Sequence, residues 1–516
     1  MQHRVQVRNL DPRIATSIDD FYVNLVWTHD PLVRYAGDVD KGITIVPHLA
    51  ESWKKLDDRT YEFYLRKGVL FHDGTELKAS DVKYTFDCFL GVANWNKKFV
   101  VPHSVFYAGY YDPEKTKVID DYTIQLGSTK DYAPYGPFLW DLPRVTIVPE
   151  KASEEMQEKY NLAPIGSGPF KFVKWEEPLI VLGRNENYFL KDEFGTQLPY
   201  VDELQYLTVP DASAAEVRLL TGHFDAILGV PFKDIADLSA TKGFIGSSRP
   251  SWETCHIQIN LTKPYLSNKY CRQALFYAMN RQAIIDTVYR GHAQMGSSGY
   301  LPTWHWAYNP EVKPYPYDPG MAKQLLAQGG YPDGFEVELM CNDVYPWLDA
   351  ATMVQQDWAK VGIKATLKPG EEEALYANVF NISWDVFLTR FNGGLGSYDP
   401  HGIHFKWLYG QMPEGFRDDL LKTKFGKLWP HGMWWNMFSG PEAQRLWGLI
   451  DDAAKTDDRD KRKSIYAEVQ KIISDECLGF QVLLLANQLS AMGDYVKGFD
   501  QDFGGRIYLE KIWLAK

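Results

Sequence analysis

At 516 residues the chain is longer than one hydrophobic core usually organises, so two or three lobes are expected in place of a single compact domain. Hydrophobic residues make up 45% and aromatic residues 15%, including 17 Trp, 31 Tyr and 27 Phe, which excludes a disordered chain. The formal charge of -12, with no Lys/Arg run interleaved with aromatics, excludes nucleic acid as the expected partner, and no apolar run approaches the roughly 18 to 20 residues of a membrane-spanning helix.

The polar opening Met1-Gln-His-Arg4 has neither the n-region nor the h-region of an export signal, so such a signal is expected to be absent from the chain as given. Short strands and turns fill the first third. Tyr61-Glu-Phe-Tyr-Leu65 alternates as a strand, punctuated afterwards by Lys67-Gly68 and Asp73-Gly74. Ser80-Asp81 precedes a helical pattern with apolar Val82, Phe86 and Leu90, the Ser or the Asp serving as N-cap. Tyr122-Thr-Ile-Gln-Leu126 reads as a further strand. The Gly/Pro-rich turn Pro164-Ile-Gly-Ser-Gly-Pro169 marks a lobe boundary, followed by strands over 170–173 and 179–182. Helices are predicted over 271–290, 319–328 and 350–361. The strand in Lys360-Val-Gly-Ile-Lys-Ala-Thr-Leu367 closes the last of these, and that order predicts α/β units with crossover connections. Trp384-Asp-Val-Phe-Leu-Thr-Arg390 alternates as a strand. Leu446, Leu449, Ile450 and Ala453 mark the core face of one C-terminal helix, and Ile465, Val469, Ile472 and Ile473 that of another. No Pro-rich or Gly/Ser-rich linker separates these parts, so tight crossings between lobes are expected.

Signals for catalysis or metal are weak. The chain has no Gly-x-Ser-x-Gly elbow, no HExxH and no phosphate-binding Gly-x-x-x-x-Gly-Lys-Ser/Thr. A glycoside hydrolase needs two carboxylates across the scissile bond, but the run Glu371-Glu-Glu373 reads as a solvated helix start, where carboxylates suit the helix dipole. His401 and His404 form an i, i+3 pair without a third ligand, so no metal and no cofactor are expected. Cys88, Cys255, Cys271, Cys341 and Cys477 lack any CxxC spacing and read as buried small hydrophobes.

Several blocks together carry a resemblance: Ile45-Val-Pro-His-Leu-Ala-Glu-Ser-Trp53, Thr60-Tyr-Glu-Phe-Tyr-Leu-Arg-Lys-Gly68, Phe71-His-Asp-Gly74 and Ala79-Ser-Asp-Val82. In the same order follow Pro164-Ile-Gly-Ser-Gly-Pro-Phe170, Arg184-Asn-Glu-Asn-Tyr188, Cys271-Arg-Gln-Ala-Leu-Phe-Tyr-Ala-Met-Asn-Arg281, Tyr317-Asp318 to Gly334, and Ile450 to Ile473. The chain closely resembles family 5 extracellular solute-binding proteins, the dipeptide, oligopeptide, nickel and oligosaccharide receptors of ABC importers. Arg66, Gly68, Asp73 and Gly74 within these blocks read as turn chemistry that maintains the fold. One departure is visible: the family begins with a longer strand-bearing segment, and before Asn9-Leu-Asp-Pro12 only Val5-Gln-Val7 is available to supply it.

The resemblance implies an α/β fold of the type II periplasmic-binding-protein kind, with two α/β lobes joined by a hinge and an additional third lobe. Lobe I is expected over 1–35, 164–248 and 488–516, lobe II over 36–163 and lobe III over 249–487. It further implies hinge closure around a small-molecule ligand between lobes I and III. The expected protein is a monomeric, extracytoplasmic receptor without catalytic turnover, docking on membrane permease subunits driven by separate ATPases.

For the ligand, the informative stretch is the strand ending at Arg390 and the loop Phe391-Asn-Gly-Gly-Leu-Gly-Ser-Tyr-Asp-Pro400. In similar peptide receptors this loop is the lobe III wall, and an aspartate three residues before the Asp/Glu-Pro pair takes the ligand's α-ammonium. Here that position is Gly396, which argues against a free amino terminus, because a buried ammonium without a counter-charge is costly. Arg390 either binds a carboxylate, phosphate or hydroxyls of the ligand or holds the loop by an internal salt bridge. Asn392, Gly393, Gly394, Gly396 and Ser397 are expected to approach the ligand through the same loop. Trp347, Trp407, Trp434 and Trp435 supply indole faces suited to sugar rings. From lobe I, the loop bearing Thr16, Ser17, Ile18 and Asp20 is expected to complete the contacts. The favoured ligand on this reading is a sugar-containing solute, an oligosaccharide or opine-like conjugate, with di- and oligopeptides as the alternative and a glycoside hydrolase as the competing class.

Overall fold

The computed structural model describes residues 2–3, 7, 9–14, 27–39, 42–89, 111–128, 139–380, 383–392, 398–401, 438, 440–478, 480–502 and 506–516. The chain divides into two compact units. The first comprises Met1–Arg249, Leu395–Asp399 and Gln488–Lys516, and the second Pro250–Gly394 and Pro400–Asn487. The segments 36–163 and 164–248 thus both lie within the first unit. Two long strands, Phe244–Ile259 and Phe480–Gly493, each run from one unit into the other, so the crossings are made by continuous extended chain.

Among its described residues the first unit holds two main sheets and three two-stranded ones. In the larger, the hairpin Phe170–Glu176 and Leu179–Arg184 pairs through the second strand with Glu203–Thr208. The short strand Gln2–His3 then lies parallel to both Glu203–Thr208 and Ala226–Leu228, and the latter pairs with residues 490–492. The N-terminal strand is therefore Gln2–His3; Val5 and Gln6, expected to supply it, lie outside the described residues. Period-two alternation sets the core: Ile180 and Leu182 face Tyr206 and Leu204 across the ladder and pack with Trp27, Ile507 and Leu509. A second cluster joins Ala215 and Leu219 of helix Ala212–Leu220 to Ile227, Leu489 and Ala491.

The smaller sheet is antiparallel, in the order Ala50–Asp57, Thr60–Leu65, Thr123–Ser128, Tyr111–Asp120. Helix Ala79–Phe89 packs on it, Phe86 against Tyr111 at 5.1 Å. The helix begins one residue before Ser80, so neither Ser80 nor Asp81 is its N-cap. Asp81 instead reaches back from the first turn to accept from the Lys78 N–H at 2.8 Å and from Glu150 N–H at 2.9 Å. The turn chemistry matches the expectation: Gly68 and Gly74 have φ of 73° and 85°, and Asp73 accepts from Thr75 N–H at 2.9 Å.

In the second unit, strand Glu336–Asn342, helix Trp347–Ala359 and parallel strand Lys364–Gly370 form the expected crossover unit. Helix Glu372–Phe380 then leads to Val386–Asn392, which pairs parallel to Glu336–Asn342 on its other side and antiparallel to Phe244–Ile259. The long helix expected over 271–290 is two helices, Lys269–Tyr277 and Arg281–Thr287. Asn280 caps the second by accepting from Ala283 N–H, and that cap competes with continuing the first. Arg272 explains its block in the sequence: it is buried and donates to the carbonyls of Leu266, Ser267, Glu476 and Cys477. All five cysteines are buried, as expected, and the structure has them free. Among the described residues no helix is long and apolar enough to cross a membrane.

Candidate functional site

In the second unit the order Lys364–Gly370, Glu336–Asn342, Val386–Asn392 means that the chain leaves the central strand first to one side and then to the other. Two parallel neighbours whose following connections diverge leave a crevice at their carboxyl ends, the usual ligand position in open α/β sheets. The residues that follow those ends are Asp343 onward after the central strand and Gly393 onward after its neighbour. Asp343 is exposed, and its N–H donates to Gly370 O at 3.1 Å. Trp347 opens the following helix and is buried, 6% exposed. Arg390 is partly buried and pairs with Cys255, and the Asn392 backbone pairs with Glu253. The topology thus brings Trp347, Arg390 and Asn392 to one end of one sheet. Gly393, Gly394, Gly396, Ser397, Trp407, Trp434 and Trp435 lie outside the described residues.

In the first unit the expected contacts Thr16, Ser17, Ile18 and Asp20 also lie outside the described residues. The chain on either side of them is anchored. Arg13 forms a buried ion pair with Asp11 at 2.7 Å and stands over the Tyr160 ring at 4.7 Å, and Trp27 Nε1–H donates to Ile507 O at 2.8 Å.

A buried network is centred on Asp30, shortly after this stretch in the sequence, and nothing in the sequence pattern singled it out. His48 Nε2 lies 2.6 Å from Asp30 Oδ1, Arg34 donates to Asp30 at 3.1 Å and to Glu510 at 2.7 Å, and Ser167 Oγ–H donates to Asp30 Oδ2 at 3.0 Å. The Tyr188 hydroxyl stands 3.3 Å from both Asp30 and Arg34. Burial alone would raise the Asp30 carboxyl; His48, then Arg34 and Ser167, override it and hold it at about 2. Burial, reinforced by Arg34, pushes the His48 imidazole below its ordinary range, against the pull of Asp30. Three blocks of the sequence resemblance, those with His48, Ser167 and Tyr188, therefore meet at one carboxylate. The glycines beside Ser167 have a steric reason: a Cβ on Gly166 would stand 1.9 Å from Thr28 O.

Comparison with known proteins agrees with this architecture. The solved periplasmic binding protein DppA from Helicobacter pylori, in complex with peptide STSA, superposes with a TM-score of 0.77 at 22% identity, covering 100% of this chain and 97% of that one. The PBP AgaA of A. tumefaciens R10, in complex with agropinic acid, gives 0.77 at 24% identity, covering 99% and 98%. These likenesses define the class: a type II periplasmic-binding-protein fold. The model of bacterial extracellular solute-binding proteins, family 5 (Middle), matches residues 44–411, and the chain belongs to that family. The dipeptide-binding protein of Escherichia coli K12 is 28% identical over 527 residues, covering 97% of this chain and 92% of the relative. The di/tripeptide-binding protein 1 of Pseudomonas aeruginosa UCBPP-PA14 is 30% identical over 456 residues, covering 84% and 80%. As a member of this family the protein is a solute-binding receptor that serves an ABC importer.

Proposed function

We propose that the protein binds short peptides with a free amino terminus outside the cytoplasmic membrane and passes them, unaltered and as a monomer, to ABC permease subunits. The observation that supports this reading most is that the relative covering 97% of the chain is a dipeptide-binding protein. The sugar-containing solute expected from the sequence rested on Gly396, on the glycine-rich loop beside Arg390 and on four tryptophans, of which Trp347 is buried and the other three lie outside the described residues; the relatives favour the peptide alternative. A peptide ammonium needs a counter-charge. Asp343, exposed at the carboxyl end of the central strand, is our assignment for it in place of the residue missing at Gly396. The agropinic-acid complex among the structural neighbours favours an opine as the second reading. Lobe I, on this proposal, is the part of the first unit built on the larger sheet, lobe II the part built on the smaller, and lobe III the second unit. The ligand contacts expected from the sequence stand as part of the proposal.

A thermal-shift screen tests the ligand class, since a ligand held at 100 times its Kd adds about 2.7 kcal/mol to stability. Di- to pentapeptides are expected to raise the melting temperature, N-acetylated peptides to do so less, and Asp343→Asn to remove that difference. Shifts confined to oligosaccharides or opines overturn the peptide reading. Recovery of hydrolysed ligand from the same mixtures overturns the receptor reading in favour of an enzyme.

Closure is tested separately. A ligand that favours one conformation shifts the population towards it. Small-angle scattering at saturating ligand is expected to show a smaller radius of gyration than the free protein, and an unchanged radius contradicts hinge closure.

A further inference from the structure

Three aromatic residues of the first unit meet, one of them the residue that follows the glycine-containing loop in the sequence. Tyr35, in strand Val33–Asp38, stacks on Trp140 with centroids 6.1 Å apart and planes at 21°. Trp140 in turn lies 5.3 Å from Tyr398 at 51°. The Tyr35 hydroxyl donates to the Trp140 carbonyl and accepts from Tyr398 N–H at 3.3 Å, so one side chain fastens both neighbours through their backbones. The Arg506 guanidinium, paired with Asp502 at 3.0 Å, stands 5.0 Å from the Tyr35 ring centroid and helps hold that ring in place.

Tyr35 and Tyr398 are buried, whereas Trp140 keeps part of its surface exposed on a helical turn of only three residues, Leu139–Asp141. Tyr398 directly follows Ser397, the last of the loop positions assigned to the ligand. A partly exposed indole, held in place by Tyr35 and packed on Tyr398, has the character of a binding platform, because small-molecule sites combine apolar aromatic walls with few polar groups. Its fixed position also means that little side-chain freedom is lost on contact.

We propose that Trp140, backed by the buried Tyr398, forms a flat apolar subsite for an aromatic or branched side chain of the bound peptide, and that Tyr35 is the positioning residue for it. This rests on the peptide-receptor reading. A flat apolar surface equally suits the C–H face of a sugar ring, so the test includes both kinds of occupant.

The full chain is titrated calorimetrically with Ala-Ala, Ala-Leu, Ala-Phe, cellobiose and agropinic acid. Trp140→Ala is expected to weaken Ala-Phe roughly tenfold while leaving Ala-Ala nearly unchanged, the size of one aromatic contact. Trp140→Phe restores most of the preference for Ala-Phe over Ala-Ala, and Tyr35→Phe lowers that preference without abolishing Ala-Ala binding. An unchanged preference in Trp140→Ala overturns the subsite and leaves the peptide receptor standing. Uniform weakening of every ligand overturns it too, since that marks a structural role. If the wild type binds only cellobiose or agropinic acid, the peptide reading fails; the subsite then holds if Trp140→Ala weakens that ligand selectively and falls if it does not.

Discussion

Replacing Asp30 by alanine is expected to lower the unfolding free energy by about 3–5 kcal/mol, the usual cost of removing one partner from a buried ionic network. The carboxylate is the shared acceptor for Arg34, His48, Ser167 and Tyr188, and all of these are buried. Without it, Arg34 keeps Glu510, while the buried donors of His48 and Ser167 lose their acceptor. Asp30→Asn keeps the volume but removes the charge opposite Arg34, so its loss is expected to be of the same order. Urea unfolding of the two variants beside the wild type is the check. A loss under about 1 kcal/mol in both would mean that the network contributes no more than an exposed ion pair.

Stability is expected to fall steeply between pH 6.5 and 4. Burial pushes His256 down to about 3 and His72 to about 4, both from an ordinary 6.5. His72 is fixed in its neutral form, with Gly166 N–H donating to Nδ1 at 3.2 Å and Nε2 lying 3.0 Å from Gly168 O. His256 lies between Thr254 and Gln258 near the end of strand Phe244–Ile259, with Gln258 Nε2 2.9 Å from its Nε2. As pH falls below 6.5 the unfolded chain takes up protons that the folded chain refuses, so folding loses ground. Each such site lowers stability by up to ~1.4 kcal/mol per pH unit across its window. Asp30 acts later: its depressed folded value adds stability above the ordinary 3.8, and that stability is lost only as the pH falls through about 2. Denaturant melts from pH 7.5 to 4 are expected to show this slope, and His256→Gln to make it shallower by ~1.4 kcal/mol per pH unit at most. A profile that stays flat down to pH 4 contradicts a neutral His72 and His256 in the folded protein.

Local chemistry made many elements readable without coordinates. The alternation of Tyr61 to Leu65, the helical spacing of Ile465 to Ile473 and the turn glycines at 68 and 74 all depend on residues within one element, and each has its expected form. Readings failed where two local preferences competed. Apolar spacing continues through 271–290, but the Asn280 cap ends the first helix and starts a second. Asp81 resembles an N-cap, yet it sits inside the helix, because a carboxylate in the first turn satisfies a backbone N–H from either place.

By itself the sequence determined the family, the α/β class, the crossover after residue 360 and the strand carrying Arg390, since each is written in short-range pattern or in blocks read in order. The tertiary structure alone decided that Asp30, Arg34 and Glu510 form one network and that Tyr35, Trp140 and Tyr398 form another. Arg34 and Glu510 are separated by 476 positions, and Tyr35 and Tyr398 by 363. No periodicity links residues so far apart. Their meeting follows from the return of the C-terminal segment Gln488–Lys516 and of Leu395–Asp399 to the first unit, and desolvation on that return is what makes their charges and rings interact strongly.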